Sequence, residues 1–140
     1  MYLGIDSGST TTKLLLVDDD GNVSGRRIAA TGTDAREAAE QLWTDLSGEL
    51  GRSASEPPPA VATGYGRRRI DLAPTVVTEI TCHAVGVREH MPEARSVVDI
   101  GGQDSKAIRL DEAGQVADFA MNDKCAAGTG RFLGPARSAG

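Results

Sequence analysis

The chain has 140 residues with 15 basic and 20 acidic side chains, a formal net charge of −5. With 39% hydrophobic and 25% charged residues, it has the balance of one ordinary globular domain and not of a disordered tail. Its longest uncharged apolar run, Leu14–Val17, is far too short to cross a membrane, and its acidity argues against sequence-independent nucleic-acid binding. Two cysteines, Cys82 and Cys125, are too few for a disulfide framework, and the first residues do not read as a secretory leader. A reducing, cytoplasmic location is the expectation. Glycine is enriched, 17 of 140 residues, while aromatics are only 4%, so many positions serve the path of the main chain.

Met1–Ile5 reads as a strand running into the polar turn Asp6-Ser7-Gly8-Ser9-Thr10. Thr11–Asp18 reads as a second strand, its Leu14-Leu15-Leu16-Val17 run apolar on both faces as in a central buried strand. Asp18–Asn22 is a hairpin turn by composition, and Val23–Ala30 a third strand. The period then changes. Ala35, Ala38, Ala39, Leu42, Trp43, Leu46 and Leu50 fall on one helix face, with Trp43 in the core. Asp34 with Glu37 marks the helix start as a capping box, and Gly51 its end. Ser53–Pro59 is a mobile surface loop, and Ala60–Gly64 a short strand entering the Gly64-Tyr65-Gly66 turn. A second helix is expected over Thr78–His90, with Ile80, Ala84, Val87 and Met91 as its apolar stripe and Pro92 as its stop. Ser96–Ile100 is again a strand.

An internal repeat organises these pieces. Residues 6–23 align without gaps on residues 99–116 at an offset of 93 (99 − 6), with six identical pairs: Asp6/Asp99, Gly8/Gly101, Lys13/Lys106, Asp18/Asp111, Gly21/Gly114 and Val23/Val116. Five of the six identities fall on turn and phosphate-type residues, and only Val23/Val116 on apolar filler. They describe a duplicated unit of strand, Asp-x-Gly loop, strand, Asp/Gly turn and strand. Only 24 residues (140 − 116) follow Val116, so the second unit lacks most of its body, and a fragment is favoured over a vestigial second copy.

Each repeat carries a candidate site. A Gly/Ser/Thr hairpin presents backbone N–H groups and hydroxyls that suit phosphate oxygens; Gly8, Ser9, Thr10 and Thr11 have that character. Asp6 would repel phosphate and would instead hold a hydrated Mg²⁺. Lys13 either faces the phosphates or caps its strand, and the whole element can also be read as a plain polar hairpin. In the second copy, Asp99, Gly101, Gly102, Gln103 and Asp104 repeat the pattern. Gln103 could orient an attacking water, and Asp99 or Asp104 could act as base or metal partner. Two such loops facing across a pseudo-twofold axis would clamp a triphosphate. Neither the helix-opening phosphate loop nor the dinucleotide glycine fingerprint occurs.

Three further features remain. Cys125 lies between polar Asn122-Asp123-Lys124 and small Ala126-Ala127-Gly128, so a helix beginning near Ala126 would favour its thiolate. It is a soft-metal ligand or nucleophile, or else a buried free cysteine. One cysteine cannot hold a metal centre, but a twofold dimer would bring two copies together. Cys82 and His83 read as packed, non-ligating residues of the second helix. Arg67-Arg68-Arg69 is a solvated loop or a contact to a partner protein or an anionic ligand.

The segments Gly4–Thr10, Ala62–Arg67, Glu79–Ala84, Asp99–Lys106 and Met121–Leu133 together closely resemble the activator ATPases of 2-hydroxyacyl-CoA dehydratases and the ATPase subunits of benzoyl-CoA reductases. The resemblance implies an α/β fold of the acetate/sugar kinase–Hsp70–actin type, ribonuclease H-like and duplicated, with the second unit incomplete. Residues 1–95 would form the first actin-like unit with phosphate loop 1. Residues 96–140 would begin the second, with loop 2 and the cluster cysteine. It also implies ATP/ADP and Mg²⁺ as cofactors, and a [4Fe–4S] cluster shared across a homodimer with Cys125 as one ligand. Hydrolysis would drive a low-potential electron, received from a donor such as ferredoxin or flavodoxin, into an acyl-CoA dehydratase or aryl-CoA reductase component. No nucleic acid or membrane is an expected partner. The family's second ligand cysteine and adenosine motif lie past Leu133, where Gly134-Pro135 also breaks the family's helix, so the 140 residues alone are expected to be inactive. The alternatives are a sugar or carboxylate kinase of the same fold and an inactive remnant.

Overall fold

The computed structural model describes residues 1–101 and 104–123. These form two compact units, Met1–Glu79 and Ile80 onward.

In the first unit, strands β1 (Tyr2–Ser7), β2 (Thr11–Val17) and β3 (Val23–Ala30) form an antiparallel meander. Helix α1 (Ala35–Glu49) then crosses over to β4 (Ala60–Thr63), which pairs parallel to β1. A short β5 (Thr75–Val76) pairs parallel to β4, giving the order β3-β2-β1-β4-β5. A parallel neighbour for β1 requires such a crossover, because a tight turn can only reverse the chain. Period-2 alternation places Leu3, Ile5, Leu14, Leu16, Ala60 and Ala62 on the face that meets Ala39, Leu42, Trp43 and Leu46 of α1. Trp43 is 1% exposed, and its indole N–H donates to the Ala54 carbonyl at 2.8 Å. That bond ties the loop between α1 and β4 to the core and satisfies the one polar atom of the ring.

The ends of α1 follow from its sequence. Asp34 at the N-cap accepts from the Arg36 and Glu37 amides. At the other end Gly51 takes φ 64°, and the amides of Gly51 and Arg52 donate to the carbonyls of Gly48 and Ser47 at 3.1 and 2.8 Å. This is the Schellman pair, which needs a residue free to enter the left-handed region. Gly25 serves a different need: a Cβ there would sit 2.6 Å from Leu46 Cδ1, so its absence lets α1 lie close on β3.

In the second unit, α2 (Glu79–His90) precedes the antiparallel meander β6 (Ser96–Ile100), β7 (Asp104–Leu110) and β8 (Val116–Asp123). Its core is small: Ala84, Ile108 and Leu110 are buried, with Ile80, Val97 and Val116 packed on them.

The duplication holds at the level of single hydrogen bonds. Asp6 pairs with Lys13 across β1–β2, and Asp99 with Lys106 across β6–β7. The register shifts at Leu16/Val17 and at the equivalent Arg109/Leu110. The Gly8 amide donates to the Thr11 carbonyl at 2.9 Å, and Gly101 to Asp104 at 2.9 Å. In the far turns, Asp18 and Asp111 each accept from a backbone amide, of Asn22 and Gln115, at 2.8 Å. Gly21 and Gly114 take φ 85° and 80° in those turns.

Three expectations are corrected. β2 is not buried on both faces: Leu16 is 0% exposed but Leu15 42%, because α1 covers one face of this sheet. β1 runs on through Ser7, so Asp6 lies within a strand and the turn shrinks to Gly8–Thr10. Met91 is not on the buried stripe of α2. The helix has ended at His90, the unit's core is too short to reach the next residue, and Met91 is 63% exposed.

Candidate functional site

The sequence-derived residues of the first loop converge. Ser9 and Thr10 are exposed at the tip of the β1–β2 hairpin, with Gly8 and Thr11 closing it. The tip is fastened from below by Thr31, whose amide donates to the Thr10 carbonyl at 2.9 Å and whose hydroxyl donates to the Gly8 carbonyl at 2.8 Å. A buried row of hydroxyls continues inward, with Thr31 Oγ1 to Thr12 Oγ1 at 3.0 Å and Thr12 Oγ1 to Ser7 Oγ at 3.3 Å. Sequence reasoning missed this support. Its signal was a set of hydroxyl residues at inward strand positions, Ser7 and Thr12, where alternation calls for apolar ones.

Asp6 sits at the strand end with its two oxygens in different company. Oδ2 is 2.8 Å from Lys13 Nζ. Oδ1 lies over Gly64, where a Cβ would approach it to 2.8 Å. Gly64 holds φ 90°, and any side chain there would also collide with the Ser7 carbonyl. The Gly64-Tyr65-Gly66 turn therefore backs the hairpin, and the Gly66 amide donates to the Ser7 carbonyl at 2.8 Å. Lys13 is thus engaged across the strand pair. Thr63, the register partner of Asp6 on β4, has a buried hydroxyl without a hydrogen-bond partner among the described residues. The Thr63 hydroxyl is sealed from solvent, whereas the partly exposed Asp6 carboxylate is a hard-oxygen donor that fits a hydrated magnesium ion.

The second hairpin repeats the backbone and the Asp–Lys pair and adds a second carboxylate. Lys106 is 3% exposed, and its Nζ lies 2.6 Å from Asp104 Oδ1 and 3.3 Å from Asp99 Oδ2. His83 of α2 brings Nε2 to 3.4 Å from the same Asp99 oxygen. The expectation of a packed His83 is corrected: the ring is half-exposed and turned to a carboxylate, because α2 presents it to the end of β6 and not to Ile108 and Leu110. A Cβ on Gly101 would lie 3.2 Å from the Asp104 carbonyl, and one on Gly8 3.1 Å from that of Thr11, so the same close approach occurs in both loops. Asn122, opposite Ser105 on β8, has a buried side-chain oxygen without a partner among the described residues.

Gly102, Gln103 and Cys125 lie outside the described residues, as does most of Met121–Leu133. Cys82 is a free, half-buried thiol, and no group of three potential metal ligands occurs among the described residues. Those residues alone do not supply a thiolate set for an iron–sulfur cluster. No helix among them is long and apolar enough to cross a membrane.

Comparison with known proteins gives the geometry its context. The sequence pattern of the BadF/BadG/BcrA/BcrD ATPase family matches residues 3–139. The chain is 49% identical over 132 residues to the uncharacterized protein YjiL of Escherichia coli, covering 94% of this chain and 49% of that one. It is 44% identical over 135 residues to the activator of lactoyl-CoA dehydratase of Anaerotignum propionicum, covering 95% of this chain and 51% of that one. Among solved structures, the activator of the 2-hydroxyisocaproyl-CoA dehydratase from Clostridium difficile with bound ADPNP superposes with a TM-score of 0.79 at 39% identity, over 94% of this chain and 49% of that one. The chain thus spans about half the length of these relatives.

Proposed function

The chain belongs to the BadF/BadG/BcrA/BcrD ATPase family, and from that premise we propose that it supplies both phosphate loops of an ATP-hydrolysing activator. This activator delivers a low-potential electron to an acyl-CoA dehydratase or aryl-CoA reductase component. The observation that carries the reading is the matched pair of hairpins, alike in register, bulge and closing hydrogen bonds. The described relatives named as dehydratase activators and the ADPNP-bound neighbour support it.

In this reading the Gly8–Thr11 tip binds phosphate oxygens through backbone amides and the Ser9, Thr10 and Thr11 hydroxyls. The Thr31 bonds hold that tip in shape before the ligand arrives, which lowers the entropic cost of binding. Asp6 would hold a hydrated Mg²⁺ through the ion's waters, and the ion would neutralise phosphate charge. Lys13, paired with Asp6, sets which carboxylate oxygen is offered. Gly101 and Gly102 give the second loop its close approach, Gln103 orients the attacking water, and Asp99 and Asp104 are the base candidates. Both are drawn to Lys106, which holds the two carboxylates together. Cys125 is assigned as one ligand of a [4Fe–4S] cluster shared with a second copy of the chain. This rests on the Met121–Leu133 resemblance, and the cluster would supply the electron.

The test uses a polypeptide carrying this sequence at the full length of its relatives. Gln103→Ala should lower the rate of ATP hydrolysis at least about tenfold while nucleotide affinity changes little; equal losses in both would move Gln103 to a binding role. Cys125→Ser should abolish iron incorporation on anaerobic reconstitution, and normal cluster absorbance would refute the ligand assignment.

A further inference from the structure

The segment that backs the first hairpin also displays three residues with no role in the fold. Tyr65 is 83% exposed although it sits between two tightly packed glycines. Gly64 and Gly66 are pressed against Asp6, Ser7 and Ala35, so the turn cannot rotate its middle residue inward. The chain continues as a single 3-10 turn, Arg67–Arg69, closed by the Arg69 amide on the Gly66 carbonyl at 2.9 Å. Ile70, 4% exposed, anchors its far end in the core. The three arginines differ. Arg67 folds back, its guanidinium donating to the Gly64 carbonyl at 3.0 Å. Arg68 and Arg69 are exposed and make no side-chain hydrogen bond or ion pair with any described residue. The nearby carboxylate of Asp71 is taken by Arg36 at 3.3 Å. A rigid turn thus carries two uncompensated cations beside an exposed ring, on a chain whose net charge is −5.

We propose that Tyr65, Arg68 and Arg69 form a docking surface for an acidic segment of a protein partner. Tyrosine and arginine are the residue types that dominate protein interfaces. A turn pinned at both ends loses little conformational entropy when a partner binds. The chemistry selects a protein over a small anion. A ring left 83% exposed gains burial only against a surface broad enough to cover it, and a free phosphate or carboxylate offers none. The surface is also linked to the first hairpin. The Gly66 amide is bonded to Ser7, the residue before Gly8, so a partner that moves the turn moves the loop and, by reciprocity, a ligand in the loop changes the partner's affinity. This inference goes beyond the ATPase reading and does not depend on it.

The test needs no nucleotide. The full chain is titrated into fluorescein-labelled polyglutamate and a random glutamate–tyrosine copolymer, with folding of each variant checked by its melting curve. The wild type should bind both polymers, the copolymer more tightly, with affinity falling as salt rises. Arg68→Glu with Arg69→Glu should lose at least about tenfold, and Tyr65→Ala should erase the preference for the copolymer. Arg52→Glu, an exposed arginine outside the turn, should change affinity by no more than about twofold, as rim charges do. Copolymer binding should slow hydrogen exchange of the Gly66 amide. Absence of wild-type binding, equal losses in the Arg52→Glu control, or folded turn variants that bind as well as wild type would overturn the proposal. Tighter binding of an oligothymidylate than of either polymer would overturn it as well, making the turn a nucleic-acid contact.

Discussion

The two hairpins share a backbone and differ in what holds them. The first is fastened by neutral groups: the Ser7, Thr12 and Thr31 hydroxyls form a buried row, and its one ion pair, Lys13–Asp6, is half-exposed. The second is fastened by charge. Where the first has Thr11, the second has Asp104, and Lys106 is buried between that carboxylate and Asp99, with His83 behind. A single substitution in the repeat accounts for much of this. A lysine taken out of water needs counter-charge close by, and the added carboxylate supplies it. Duplication therefore preserved the register, which the backbone bonds dictate, while the interactions stabilising each loop diverged.

That contrast can be broken most directly at the lysines. Lys106→Met should destabilise the second unit by about 3 kcal/mol or more, since it leaves two carboxylates facing each other without their cation. Denaturant unfolding followed by amide exchange in β6 and β7 measures this, and a loss below about 1 kcal/mol would mean that Asp99 and Asp104 are solvated. Next in size, Thr31→Val should cost the first unit about 2 kcal/mol, because the Gly8 carbonyl and the Thr12 hydroxyl lose a buried partner. That loss should not change with salt, whereas the Lys106→Met effect should. Lys13→Met should cost no more than about 1 kcal/mol, as exposed ion pairs do. If it matches Lys106→Met, the two hairpins are held in the same way after all.

The smallest effect sharpens the comparison at the far turns. The Asn22 side chain, followed by its amide, hydrogen-bonds the Asp18 carboxylate and lowers its pKa from the ordinary 3.8. A depressed folded-state value contributes stability that is fully present above the ordinary value and is lost as pH falls through the lowered one. Asp18→Asn should therefore lower the first unit's melting temperature slightly at neutral pH, where that contribution is fully present, and flatten its fall below about pH 4. An unchanged acid slope would remove Asp18 from the account.

Much of this was legible in the chain, because it was written in local spacing. The α1 stripe as far as Leu46, the Asp34 cap and the Gly51 stop follow from a period of 3.6 and from the left-handed conformation that glycine adopts freely, while Leu50, past the helix end, is 40% exposed and leaves the stripe. The repeat could be read at an offset of 93 because turn residues are dictated by backbone geometry, and the same residues close the same hydrogen bonds in both copies. The candidate residues Asp6, Gly8–Thr11 and Lys13 could be listed for the same reason. Other features depended on contacts between segments distant in sequence. Only packing shows that α1 leaves Leu15 exposed while burying Leu16, that Thr31 fastens a loop more than twenty residues before it, and that His83 turns to Asp99 and not into an apolar core. Periodicity states which face a residue occupies; what meets that face is settled by the path of the whole chain. The charge on Lys13 and Lys106 is identical in the sequence, but one is half-solvated and the other nearly sealed, since burial belongs to the assembled sheet and not to the residue.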